Sequence, residues 1–180
     1  MSKGKRILIC LAVYVLFATP VVYSKTTSYS KVGFMDFDTV LTTYTEKFLE
    51  LGIRIIEDAV LKLENDYARE FGKYTEGERN TAWIRIQERK AELERYCACM
   101  QVWKISGEIE DDSILEMVQR DIMTAIKKTS VLEGFSLILD KTGNFIYGNE
   151  EADITNRVLF KLDEKLLNLQ NNELDDLLLF

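Results

Sequence analysis

From residue 32 onward the apolar positions switch between period two and helical period, and the switches predict the elements. Val32-Gly33-Phe34-Met35-Asp36-Phe37 alternates, with Val32 and Phe34 on one face, and predicts a short strand. Asp38 is placed to cap the helix that follows. From Thr39 to Lys73 the period is helical: Leu41, Tyr44, Phe48, Leu51 and Ile55 recur at steps of three and four, and a rotated stripe continues through Ile56, Val60, Leu63, Tyr67, Phe71 and Tyr74. A helix of about 35 residues spans roughly 50 Å. Gly72 to Glu78 break it, and Thr75 with Glu78 three residues later forms a capping box, so a return helix starts there. It is expected to run from Glu76 to about Leu132, with a bend at Ser106-Gly107, and to end on Gly134 as its C-cap. Phe135 to Leu139 is a second strand, residues 140–144 a turn and Phe145-Ile146-Tyr147 its returning partner. Asp153 or Thr155 then caps a final helix carrying Ile154, Val158, Leu159, Leu162, Leu166 and Leu169, which Asn171 and Asn172 weaken.

The first 24 residues follow another rule. Lys3, Lys5 and Arg6 precede an apolar run from Ile7 to Ala18, the arrangement of a secretory signal, with cleavage expected near Ser24. The run is short for a membrane span, which needs roughly 20 apolar residues; an uncleaved anchor extending to Tyr23 is the rival. The expected location is the periplasm, with no stable membrane insertion once the signal is cut.

Charge and composition narrow the function classes. The chain carries 23 basic and 30 acidic side chains, no histidine and a formal charge of −7. Loss of Lys3, Lys5 and Arg6 takes the exported chain to about −10. An acidic surface does not attract phosphate backbones, so nucleic acid is a poor partner. With no histidine, glycine-rich phosphate loop or serine elbow, the residues point to no enzyme, no cofactor and no metal. Glu108, Glu110, Asp111 and Asp112 form the densest acidic cluster and read as a solvated face. Cys97 and Cys99, two apart on a helix, do not face each other; they read as reduced and semi-buried, with interchain pairing as the alternative.

Aromatic side chains are what remains to carry a function. Tyr44, Phe48, Tyr67, Phe71, Tyr74, Trp83, Tyr96 and Trp103 lie along the two long helices. They either fill the seam between the helices or give dispersed contacts to apolar segments of a partner, because each ring can bury a large area. The three strands can meet only if the helical stretch leaves and returns. The resulting sheet is too small to bury much and leaves open edges, which association of protomers would cover.

Val32-Gly33-Phe34-Met35-Asp36-Phe37 with Val40-Leu41, Ala125-Ile126 with Gly134 to Asp140, and Tyr147 followed by Asp153-Ile154-Thr155, Val158 and Leu162 resemble the Skp/OmpH-type periplasmic chaperones. The resemblance covers residues 31–165. It implies an α+β fold: a long antiparallel helical-hairpin tentacle, residues 40–132 with its tip near 74–78, on a small β body, residues 25–39 and 133–165, that trimerises into a barrel-like core. Residues 166–180 extend beyond the family core. The resemblance further implies an ATP-independent holdase that binds unfolded outer-membrane proteins before their insertion, with Val32, Phe34, Phe37, Phe135, Leu137, Leu139, Phe145 and Tyr147 in the homotrimer body. Asp153 and Thr155 would start the helix packed on it. Best-known members are strongly basic, and this chain is not. A non-catalytic coiled-coil scaffold or spacer of the envelope is the alternative; a continuous seam with no exposed apolar face would favour it.

Overall fold

The computed structural model describes residues 31–141 and 149–178. Their order is β1 (Lys31–Met35), α1 (Phe37–Glu70), α2 (Glu76–Ser106), α3 (Asp112–Glu133), β2 (Phe135–Asp140), a 3-10 turn (Glu150–Ala152) and α4 (Thr155–Leu178). The class is α+β: four helices and a small two-stranded sheet among the described residues. The predicted partner strand at Phe145 to Tyr147 lies outside the described residues.

β1 and β2 pair in parallel, from Val32 opposite Leu137 to Met35 opposite Asp140. A parallel pair needs a long crossover, which α1, α2 and α3 supply. On the other side of β1, Ile154 N–H donates to the Phe34 carbonyl at 2.9 Å. β1 is thus held on both sides, and the Asp153-Ile154 segment acts as its second neighbour.

β1 ends earlier than its alternation predicts. Asp36, not Asp38, is the N-cap of α1, its carboxylate accepting from Thr39 N–H at 2.9 Å. Asp38 sits in the first helical turn, and Phe37 opens the helix instead of closing the strand. The reason is reach: a cap must accept from the residue three further on, and Asp36 is the carboxylate that does.

The predicted capping box at the start of α2 is formed. Thr75 N–H donates to Glu78 Oε2 at 2.8 Å, and Glu78 N–H donates back to Thr75 Oγ1 at 3.4 Å. The return path, however, is two helices and not one bent helix. Gly107 adopts φ 71°, a left-handed conformation that glycine takes without strain, and its N–H closes α2 on the Trp103 carbonyl at 2.8 Å. Asp111 then caps α3, accepting from Ser113 and Ile114 N–H, both at 3.0 Å. Much of the acidic cluster is therefore the joint between two helices. Gly134 ends α3 as predicted.

α1 and α2 pack in opposite directions: Gly52 meets Tyr96, Glu64 pairs with Lys90 at 2.6 Å, and Tyr67 meets Trp83. α1 also packs on α4 and α3. The core sits at the body end, where Val40, Tyr44 and Leu49 of α1, Ile114, Val118 and Ile122 of α3, and Val158 and Leu162 of α4 are fully buried. Burying each such side chain contributes about 1.5–3 kcal/mol. Burial thins outward, with no residue of α1 beyond Val60 and none of α2 before Ile86 fully enclosed.

Candidate functional site

The eight aromatic residues singled out in the sequence divide by position. Tyr44, Tyr96 and Trp103 are buried, and Phe48 packs half-buried beside Tyr44 and Tyr96 with ring centroids 5.9 and 6.4 Å away. These four fill the interior at the body end. The other four gather at the far end. The Tyr67 ring lies 5.5 Å from Phe71, edge-on, 6.3 Å from Tyr74 and 6.2 Å from Trp83. Phe71 and Trp83 remain 47% and 49% exposed, and the Arg79 guanidinium rests 4.8 Å over the Phe71 ring.

Between the two groups runs an open groove of about 1640 Å3. Its α1 wall steps along one helical face through Phe48, Leu51, Ile55, Ala59, Leu63 and Tyr67, and its α2 wall presents Arg85, Glu88 and Glu92. Met117 of α3 and Leu169 of α4 close the body end. The groove thus has an apolar floor, a mixed-charge rim and an aromatic end. At its inner end Tyr96 lies flat on Gly52: a Cβ there would stand 2.5 Å from the ring, so the close approach requires glycine.

Asp121 and Lys165, which also line the groove, belong to a polar network that the pattern of apolar positions did not single out. The Tyr44 hydroxyl donates to Asp121 Oδ2 at 2.7 Å, and Lys165 Nζ pairs with the other carboxylate oxygen. Asp121 is 4% exposed. Burial, aided by the hydrogen bond to Asp121 and by its charge, pushes the Tyr44 phenol far above its ordinary range. A signal for it does stand in the sequence. Asp121 comes three residues after Val118 and four before Ala125, on the apolar face of α3, and Lys165 stands likewise between Leu162 and Leu169.

Comparison with protein-family models and with curated proteins finds no match for the chain.

The residues expected in the body also divide. Phe34 and Phe135 are buried within the protomer and Phe37 half-buried against the core. Val32, Leu137 and Leu139 are 43%, 51% and 44% exposed, leaving an apolar strip on the sheet. Phe145 and Tyr147 lie outside the described residues. Asp153 does hold the start of α4, accepting from Thr155 N–H at 3.0 Å. Thr155 does not cap its own helix; its hydroxyl donates to Asp153 and accepts Asp36 N–H at 3.0 Å, joining the starts of α4 and α1. Cys97 and Cys99 are both free thiols, Cys99 buried and its thiol raised by that burial. Among the described residues no cluster is arranged to hold a metal ion, and no helix is long and apolar enough to cross a membrane.

Proposed function

We propose that this chain is an exported, ATP-independent holdase that binds unfolded outer-membrane proteins in the periplasm and keeps them from aggregating before insertion. In this reading α1 and α2 form the holding arm, and the sheet end is a body that assembles three protomers. The observation that carries it is the continuous apolar floor of the groove, which ends on Tyr67, whose ring touches half-exposed Phe71 and Trp83 just outside the lining. Such a surface buries apolar segments of many sequences without a selective site, as unfolded clients require. Val32, Leu137 and Leu139 support the assembly, because an exposed apolar strip beside a short sheet needs a cover. A spacer has no use for an open apolar groove, so the scaffold reading is the weaker one.

The test uses the purified chain and an outer-membrane β-barrel protein diluted from urea. The chain should be trimeric by mass measurement and should suppress aggregation at near-stoichiometric ratio without nucleotide. Replacing Phe71 and Trp83 by serine should weaken suppression several-fold and leave the mass unchanged. A monomer without suppression would overturn the proposal.

A further inference from the structure

The charge that the groove offers is opposite to the charge of the chain. Most ionic side chains in its lining are already engaged: Asp66 by Arg69, Glu92 by Arg89, Asp121 by Lys165, and Glu78 in the capping box of α2. Among the described residues, the lining side chains left without an ion-pair partner are Lys62, Arg85 and Arg120, against Glu88 alone. The uncommitted charge of the groove is thus positive, in a chain of formal charge −7.

The places of these cations give the groove a length. Lys62 on α1 and Arg85 on α2 stand at its outer part, where the Glu64–Lys90 pair and the Tyr67–Trp83 contact hold the two helices side by side. Arg120 stands at the inner end, next to the Asp121 that takes the Tyr44 hydroxyl. Lys62 follows Tyr44 by 18 residues of α1, so roughly 25 Å separates the two ends. Between them the floor is Leu51, Ile55, Ala59 and Leu63.

An extended chain covers that distance with about eight residues. The apolar band that a transmembrane β-strand crosses is also about 25 Å tall, and such a strand alternates apolar and polar side chains. One side of it can lie on the floor while its polar side chains and backbone groups face water across the open groove. We infer that the groove holds one future transmembrane strand of a client at a time, extended along α1. Carboxylates flanking its apolar run pair with Arg120 at one end and with Lys62 and Arg85 at the other. This inference rests on the holdase reading and adds to it a gauge of segment length and flanking charge. A single exposed ion pair contributes little, but three together favour acidic over basic flanks about tenfold.

Binding of labelled peptides to the full chain tests this. Each peptide carries a run of alternating leucine and serine with two aspartates directly at each end. Two lysines follow beyond a Gly-Ser spacer longer than the screening length of about 8 Å. A second set exchanges the aspartates and lysines, so net charge is equal and the acidic surface acts on both sets alike. With a run of about eight residues, aspartate flanks should bind about tenfold more tightly than lysine flanks, and more tightly than aspartate flanks around a run of about four. The Lys62→Glu/Arg85→Glu/Arg120→Glu variant should reverse the preference toward lysine flanks. Equal affinity for both flanks, or a preference that the charge reversal leaves in place, would overturn the pairing. Tighter binding of an amphipathic helical peptide of about 17 residues between the same aspartates would overturn the extended seat. Either result with aggregation still suppressed would strike the gauge and leave the holdase. The predicted flank and length preferences without any suppression would strike the holdase and leave the groove a site for acid-flanked extended segments.

Discussion

Tyr44 joins three helices through one hydroxyl. It donates from α1 to Asp121 on α3, which in turn holds Lys165 on α4. A buried carboxylate with one partner removed retains its desolvation cost, so what the phenol does for Asp121 exceeds an ordinary net hydrogen bond of about 1 kcal/mol. Tyr44→Phe should destabilise the protein by about 1–3 kcal/mol, seen as a lower urea midpoint with an unchanged slope. A midpoint equal to the parent's would mean that Lys165 alone satisfies Asp121. Gly52 shows a different constraint. Alanine is the better helix former by about 1 kcal/mol, but the Tyr96 ring occupies the space a methyl group would need.

The helices start on side chains that are almost all carboxylates, and this makes the elements sensitive to acid. Hydrogen bonds from Ser113 and Ile114 hold the Asp111 carboxyl below its usual range. Thr75 does the same for Glu78. At Asp153 burial pushes upward, but Lys141 and Thr155 outweigh it and the carboxyl ends lowered. A depressed carboxyl stabilises the fold above its unfolded value, and that contribution is lost as pH falls through the folded value. The urea midpoint should therefore hold near neutrality and drop below about pH 4. Asp111→Asn keeps a good cap, so it should match the parent at pH 7 and lose less between about pH 5 and 3. An acid limb as steep as the parent's would show that this cap is not among the groups responsible.

Across the molecule, burial falls from the sheet end to the aromatic tip while the net charge stays acidic. The outer half of the α1–α2 pair relies on ring contacts and exposed ion pairs such as Glu64 with Lys90, which are individually worth little. Segments with few buried contacts open most readily, and in the proposed role a surface that adapts to unfolded chains would benefit from that. The charge of −7 acts at longer range. In the proposed role, affinity for basic unfolded clients should fall as salt is raised from about 0.05 to 0.5 M, since the screening length is already about 8 Å at 0.15 M. Affinity for acidic clients should rise over the same range. Equal response of both client types would exclude a steering role for the acidic surface.

Short-range rules are the part of this fold that residue spacing alone determines. The helical period of α1, the Thr75–Glu78 capping box, the Gly134 stop and the strand at Phe135 each depend on residues within a few positions of one another. The helix break at Gly107 is legible in the sequence only as a weak point. A glycine permits a left-handed cap, but Asp111 must also begin a new helix for the break to form. What tertiary packing decided is pairing at a distance: β2 parallel to β1, Ile154 against Phe34, and which aromatics are core and which form the tip. Tyr44, Tyr96 and Trp103 carry the same periodic signal as Tyr67, Phe71 and Trp83, because an apolar stripe records that a face is covered or available, not by what. Only the packing of α3 and α4 onto one end of α1 separates the two groups, and it leaves the other end open.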